Sequence, residues 1–136
     1  PAAAIASYVP FVRSGNLLVI SGQLPLLDGK LVASGHLGKT VSIEEGQRAA
    51  RQSAVNLLAQ ANAALGSLDK IVRVVRLGGF ISCTAEFVDH AKVMNGASDV
   101  MESVFGEAGR HARTTIGVPS LPLGAAVEVE GLFEVA

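Results

Sequence analysis

The chain has 136 residues, the length of a single domain. Its 11 basic and 12 acidic residues give a formal net charge of -1, which argues against a polyanion binder because phosphate affinity needs clustered Lys and Arg. Aromatic residues make up only 4% of the chain, so there is little on which single-stranded bases could stack. The composition therefore argues against a nucleic-acid partner.

Cysteine and histidine usage argues against a disulfide and against a metal centre. Cys83 is the only cysteine; it fits a reducing, cytoplasmic location and predicts a buried structural thiol. His36, His90 and His111 are far apart and show no metal-ligand spacing, so we expect surface positions for all three. The sequence contains no run of about 18 consecutive apolar residues, so no membrane span is predicted.

The N-terminal part of the chain predicts a strand pair. Residues 1–7 are rich in alanine and predict a loose arm. Residues 11–13 and 17–21 flank a Ser-Gly-Asn turn signal and predict two strands. The second strand is apolar on both faces, which is typical of a central strand. Beyond it, Asp28-Gly29 predicts a hairpin.

Two long helices follow. Ser42 and Glu45 match a capping box, and the helix that they begin is predicted to run to about Leu65. Thr84 is predicted to cap the second helix, which contains Gly96 at some cost in stability. The predicted buried stripe of this helix recurs at three- and four-residue steps: Phe87, Ala91, Met94, Ser98, Met101 and Phe105.

Three further strands are predicted over residues 71–81, 113–118 and 127–135. In the last one, valine and phenylalanine alternate with glutamate, so the two residue types face opposite sides. We therefore expect one α+β domain over residues 1–136, with a mixed sheet and both helices on one face. The other face is bare, so we expect it to be covered by oligomerisation.

Three residues outside the predicted core are candidates for ligand binding. Arg113 begins a short strand, where a guanidinium can clamp a carboxylate through two parallel hydrogen bonds. The alternative interpretation is that Arg113 is a surface or interface residue paired with an acid. The spacing of the sequence alone favours this alternative. Gly22 either admits a ligand close to the backbone or only marks a bend. Asn95 is either a ligand contact or the partner of a neighbouring backbone group.

Glu128 and Glu130 lie side by side on the last predicted strand. Crowding of two carboxylates raises one pKa, so one of them can act as a proton carrier. The commoner alternative is a solvated strand face. If that face is buried between subunits, the glutamates need partners, which Arg73 or Arg76 can supply.

Several motifs, in matching order and spacing, resemble the Rid (YjgF-like) family of reactive intermediate imine deaminases. Each motif alone is weak, but together they extend over nearly the whole chain from Tyr8 to Val135. The matching segments are YVP at 8–10, SGQLP at 21–25, RQSAVNL at 51–57, ARTT at 112–115, LP at 121–122 and VEVE at 127–130.

The resemblance implies a fold like that of chorismate-mutase-type α+β subunits and a homotrimer whose sheets form a central barrel. Clefts between neighbouring subunits would hold a small carboxylate substrate. The implied reaction needs no cofactor: 2-imino or enamine acids such as 2-aminoacrylate are hydrolysed to 2-keto acids and ammonia.

The resemblance also assigns roles to individual residues. Arg113 aligns with the arginine that binds the substrate carboxylate, and Glu128 aligns with the glutamate that positions or activates water. Gly22 and Tyr8 align with residues that border the ligand, and Asn95 falls close to a family asparagine.

Two departures from the family pattern leave alternatives open. Thr115 occupies the position of a common family cysteine, and residues 78–90 differ from the usual sequence. One alternative is a trimer that binds small carboxylates or keto acids without turnover. A weaker alternative is an endoribonuclease, an activity sometimes attached to the family.

Overall fold

The computed structural model describes residues 1–4 and 6–136. Ile5, within the arm expected over residues 1–7, lies outside the described residues. Two long helices and seven strands are the main elements. Their bounds are β1 Phe11–Ser14, β2 Leu17–Gln23, β3 Leu26–Leu27, β4 Lys30–Leu31, α1 Ile43–Leu65, β5 Ile71–Ser82, α2 His90–Phe105, β6 Ala112–Val118 and β7 Val127–Val135.

Five of the strands form one mixed sheet in the order β1-β2-β7-β5-β6. The pairs are antiparallel except for β5 with β6, which run parallel. Helix α1 packs against β7 and β2, and α2 packs against β5, β6 and α1. This confirms the predicted α+β class, with two long helices on a mixed sheet. β3 and β4 form the separate hairpin predicted at Asp28-Gly29.

The alternation predicted for β7 decides which side chains face the helices. Val127, Val129, Phe133 and Val135 are buried in the core that the sheet shares with α1 and α2. The intervening glutamates face the opposite side and are only half-buried. We call the side covered by helices the helix face and the other side the open face.

Helix α1 begins as predicted. The Ser42 hydroxyl accepts a hydrogen bond from the Glu45 N–H at 3.1 Å, and a Glu45 carboxylate oxygen accepts one from the Ser42 N–H at 3.1 Å. The helix ends at Gly66, whose φ of 80° lies in the left-handed region that glycine tolerates best.

The predicted start of α2 is wrong. The helix begins at His90 with Asp89 as its N-cap residue, and Thr84 lies upstream of it. The Thr84 N–H instead donates to the Leu37 carbonyl, and the Thr84 carbonyl accepts from the Phe87 N–H, so Thr84 begins a turn and not the helix. The predicted stripe is therefore also partly wrong, because Phe87 precedes the helix. The buried residues of α2 are Val93, Met94, Ala97, Val100 and Met101.

Gly96 is explained by the contact between the two helices. A Cβ atom at this position would collide with the main-chain carbonyl of Gln47 in α1. The glycine therefore allows α1 and α2 to pack closely, and the cost of glycine within a helix is offset by that packing.

We predict that Gly96→Ala destabilises the protein by about 2 kcal/mol, since the added methyl group must push the two helices apart. Urea unfolding measures this change. Asp99→Ala, on the exposed side of the same helix, is the matched control and should change stability by less than about 0.5 kcal/mol. Equal stability of Gly96→Ala and the original chain would contradict the close packing.

Candidate functional site

Arg113 lies on β6, an edge strand of the sheet. Its register partner on β5 is Leu77, which is fully buried on the helix face. Because paired residues on adjacent strands point to the same side, the Arg113 side chain also projects toward the helix face. There it is half-buried against α2.

The acceptors that hold Arg113 are all neutral groups on α2. Its Nη1 donates to Asn95 Oδ1 at 3.0 Å and to Ser98 Oγ at 3.0 Å, and its Nη2 donates to the Ala91 carbonyl at 3.4 Å. In the described part of the chain, no acidic side chain forms an ion pair with Arg113. The alternative of an arginine paired with an acid is therefore not observed within the subunit.

The contacts of Arg113 leave part of its donor capacity unused. Guanidinium carries five N–H donors, and three are used in these bonds. Its Nε–H and one Nη2–H have no hydrogen-bond partner among residues 1–4 and 6–136. Two such donors match the two oxygens of a carboxylate.

Glu128 lies on the open face, on the other side of the sheet from Arg113. It pairs in register with Phe80. Gly22 lies against it: a Cβ atom there would come within 2.5 Å of a Glu128 carboxylate oxygen. Glu128 and Gly22 line a small pocket together with Tyr8 and Pro122. The structure therefore brings three of the predicted site residues, Tyr8, Gly22 and Glu128, together.

Burial raises the pKa of Glu128 above its ordinary value, and the neighbouring charge of Glu130 raises it further. Glu130 itself pairs with Arg76, with 3.3 Å between Nη1 and Oε2. This is one of the two arginines that we expected as partners. The other, Arg73, donates to the Arg110 carbonyl at 2.8 Å.

The predicted site residues thus form two separate groups. The arginine group consists of the predicted residues Arg113 and Asn95 and of Ser98, which the sequence does not predict, and it lies on the helix face beside α2. The glutamate group, Glu128 with Gly22 and Tyr8, lies on the open face. A single chain does not bring the two groups together, because the sheet stands between them.

Thr115 projects toward the helix face, two residues after Arg113. Its register partner is Gly79, which lies under Met94 of α2. The Thr115 Oγ1 is buried and has no hydrogen-bond partner among the described residues. Thr115 is therefore near the arginine group, but its hydroxyl makes no bond to that group.

The prediction that all three histidines lie on the surface is wrong, because each is half-buried and its ring contacts another residue. His36 Nε2 lies 2.7 Å from the Pro119 carbonyl, and His90 Nε2 lies 3.5 Å from Cys83 Sγ. His111 contacts Ser98. Cys83 is half-buried, and desolvation raises the pKa of its thiol despite a hydrogen bond with the Val118 backbone. A protonated thiol at neutral pH agrees with a structural role.

Ser98 and His111 are the residues of this region that the sequence did not assign to a site. Ser98 was placed in a buried stripe, and His111 was placed on the surface. Ser98 follows Asn95 by three residues, so the two face the same side of α2. This spacing is the one sequence signal that points to Ser98.

Two further findings concern metal binding and membrane-spanning helices. Within residues 1–4 and 6–136, no three or more His, Cys, Asp and Glu side chains form a group that could hold a metal ion. None of the helices described here is both long and apolar enough to cross a membrane.

Comparison with known proteins identifies the family. Residues 1–135 match the family described as "YjgF/chorismate_mutase-like, putative endoribonuclease". The chain is 48% identical over 134 residues to Protein TCP17 of Trypanosoma cruzi, covering 98% of this chain and 84% of that one. It is 31% identical to the RutC family protein y4sK of Sinorhizobium fredii, covering 96% of this chain and 88% of that one.

The solved structures agree with this family. The protein Atu1372 of Agrobacterium tumefaciens, described as having unknown function, superposes with a TM-score of 0.95 at 50% identity. The match covers 100% of this chain and 85% of that one. The chain therefore belongs to the YjgF/chorismate mutase-like family, which confirms the Rid resemblance at the level of the family.

We predict that Glu128→Gln stabilises the folded chain at neutral pH. Burial penalises the ionised carboxylate, and a neutral amide removes that penalty. Because the pKa of Glu128 is raised in the folded state, the gain should be present above that raised pKa. It should disappear as acid protonates Glu128 in both the folded and unfolded states.

Chemical denaturation of both proteins at several pH values measures the difference. Glu134→Gln on the same strand and face controls for the loss of a negative charge. A gain from Glu128→Gln that persists in acid, or a loss of stability at neutral pH, would contradict the effect of burial.

Proposed function

We propose that this protein hydrolyses reactive 2-imino and enamine acids, such as 2-aminoacrylate, to 2-keto acids and ammonia. The observation that carries the proposal is the half-buried Arg113, which is held only by neutral acceptors and keeps two donors free. The resemblance to the Rid deaminases implies the same chemistry, and the chain's membership of the YjgF family agrees with that resemblance. Arg113 and Glu128 are its proposed catalytic residues.

In the proposed site, Arg113 binds the substrate carboxylate. Its free Nε–H and Nη2–H donate to the two carboxylate oxygens, while Asn95 and Ser98 hold the other side of the guanidinium. This bidentate contact fixes the orientation of the neighbouring imine carbon. No cofactor is needed, because the imine carbon is already electrophilic.

Glu128 supplies the proton-transfer group of the proposed reaction. An enamine acid first becomes the imine, as nitrogen loses a proton and the far carbon of the C=C bond gains one. Water then adds to the imine carbon: its oxygen forms the new C–O bond, the C=N π bond breaks, and nitrogen gains the proton that water loses. In the resulting carbinolamine, the hydroxyl proton passes to nitrogen, the C–N bond breaks, and ammonia leaves as the C=O bond of the keto acid forms. A carboxyl group with a raised pKa can accept a proton from water and return it to nitrogen.

We propose that the two groups meet across a subunit boundary in a homotrimer. The arginine group and the glutamate group lie on opposite faces of the sheet, so each needs a second copy to complete the site. The open face also exposes Val12, Val19 and Ile116, which are 53%, 48% and 48% accessible. Apolar side chains on the bare face of a sheet favour burial against another subunit.

Tyr8 and Gly22 are proposed to border the substrate beside Glu128. Gly22 keeps the backbone free of a side chain where Glu128 approaches. Thr115 replaces the common family cysteine, and we propose that this position acts through its backbone, since its hydroxyl makes no bond within the described residues.

A non-catalytic binder of small carboxylates is the second candidate. It is favoured by Thr115, which removes a thiol that the family commonly carries. The endoribonuclease named in the family description has less support, because a chain with a net charge of -1 has little attraction for a polyanion.

We predict that Arg113→Ala lowers kcat/KM for 2-aminoacrylate about 10- to 100-fold, the cost of losing hydrogen bonds to a charged group. Arg113→Lys should recover little, because an ammonium cannot form the paired contact. The measurement is ammonia release from freshly generated substrate. Arg48→Ala, which removes an exposed arginine of α1 outside the arginine group, is the control. Full activity in Arg113→Ala would contradict the proposal.

The effect of Glu128→Gln separates a deaminase from a binder. For a deaminase, we expect kcat to fall about 100-fold or more while KM changes little, because proton transfer is lost and carboxylate binding is kept. Pyruvate, the keto-acid product, should still bind when measured by calorimetry. If the original chain binds pyruvate but does not accelerate ammonia release above the rate in buffer alone, the protein is a binder and not a deaminase.

A further inference from the structure

A second set of hydrogen bonds extends behind Arg113, away from its free donors. Ser98 Oγ lies 2.9 Å from His111 Nε2, and His111 Nδ1 lies 2.6 Å from the Gly109 carbonyl. Together with the 3.0 Å bond from Arg113 Nη1 to Ser98 Oγ, these contacts form a continuous chain. We call Arg113, Ser98, His111 and the Gly109 carbonyl the relay.

Donor and acceptor capacity decides the direction of each bond. The Gly109 carbonyl can only accept, so His111 must carry a proton on Nδ1. Arginine can only donate, so Ser98 Oγ accepts from Arg113. The Ser98 hydroxyl then directs its own proton to His111 Nε2, which accepts when the ring is neutral. In this arrangement the protons on Arg113 Nη1, on Ser98 Oγ and on His111 Nδ1 each have an acceptor.

We infer that Ser98 and His111 are positioning residues, which hold the Arg113 guanidinium so that its free donors face the substrate carboxylate. The effect of the relay on substrate binding rests on the proposed function, whereas the relay itself is a property of the unliganded chain. Neither residue touches the substrate in this account. His111 acts only through the Ser98 hydroxyl.

The chain of bonds explains why the hydroxyl at position 98 is aligned for Arg113. A serine hydroxyl rotates freely unless both its proton and its lone pairs are engaged. His111 Nε2 accepts the hydrogen bond from the hydroxyl proton, which turns a lone pair of Ser98 Oγ toward Arg113 Nη1. His111 is itself oriented by Gly109 at the end of the turn that precedes β6.

A protonated ring would disturb this arrangement. Nε2 would then donate to Ser98 Oγ, which already accepts from Arg113, and the hydroxyl proton would have to turn away. The ionisable side chains that line this groove are Arg113, Arg110, Glu102 and His111. The relay therefore requires the neutral form of His111 with its proton on Nδ1.

The first test uses the unliganded full-length chain. ¹⁵N spectra at pH 7 should show that His111 is protonated on Nδ1 and not on Nε2. ¹⁵N relaxation should show an ordered Arg113 side chain, whose order parameter falls below about 0.6 in Ser98→Ala. Ser98→Thr, which keeps the hydroxyl, should restore the order. Glu102→Gln, an exposed residue of the same groove, should leave it unchanged.

The second test is kinetic. Ser98→Ala should raise KM for 2-aminoacrylate about tenfold with kcat changed less than about twofold, because carboxylate binding is equal in the ground and transition states. His111→Ala should raise KM about threefold. The double variant should be no worse than Ser98→Ala, since His111 acts through the removed hydroxyl.

The outcomes separate this inference from the proposed function. An ordered Arg113 in Ser98→Ala, or a proton on Nε2 of His111, would overturn the relay whatever the activity. If Ser98→Ala disorders Arg113 but Arg113→Ala still releases ammonia at full rate, the relay stands and the proposed function fails. If the fold increase in KM of the double variant equals the product of the two single-variant increases, the two residues act independently, which would contradict action through the hydroxyl.

Discussion

The structure places one half-buried cation where only neutral groups hold it. Arg113 is bound by an amide, a hydroxyl and a main-chain carbonyl of α2, and none of these balances its charge. Partial burial of a charge without a counter-ion is unfavourable. In the proposed function, the substrate carboxylate supplies that counter-ion, and the proposed substrate class follows from this constraint.

The alternation of side chains along each strand sets where the second half of the site lies. Arg113 projects toward the helix face and Glu128 toward the open face, and a shift of one residue in either strand would reverse this. The same alternation exposes apolar side chains on the open face. In the proposed homotrimer, association with further copies of the chain both covers these side chains and completes the site.

The pattern of the sequence predicted the sheet, both helices and the α1 cap, because these depend on local periodicity and capping chemistry. It misplaced the start of α2, since a long-range hydrogen bond from Thr84 to Leu37 holds Thr84 at the start of a turn that precedes the helix. The resemblance assigned Tyr8, Gly22 and Glu128 to one cleft with Arg113, whereas within one chain only the first three line the same pocket. The relay of Ser98 and His111 was missed, because its contacts join a helix to a turn and leave only weak spacing signals.

The most direct test of a site shared between subunits is to mix two inactive variants. Arg113→Ala chains keep Glu128, and Glu128→Gln chains keep Arg113, so a mixed trimer contains some clefts with both intact groups. If the groups come from neighbouring subunits, random equal mixing after co-refolding should restore about a quarter of the original ammonia release. No recovery above the separate variants, in trimers shown to be mixed, would contradict the account.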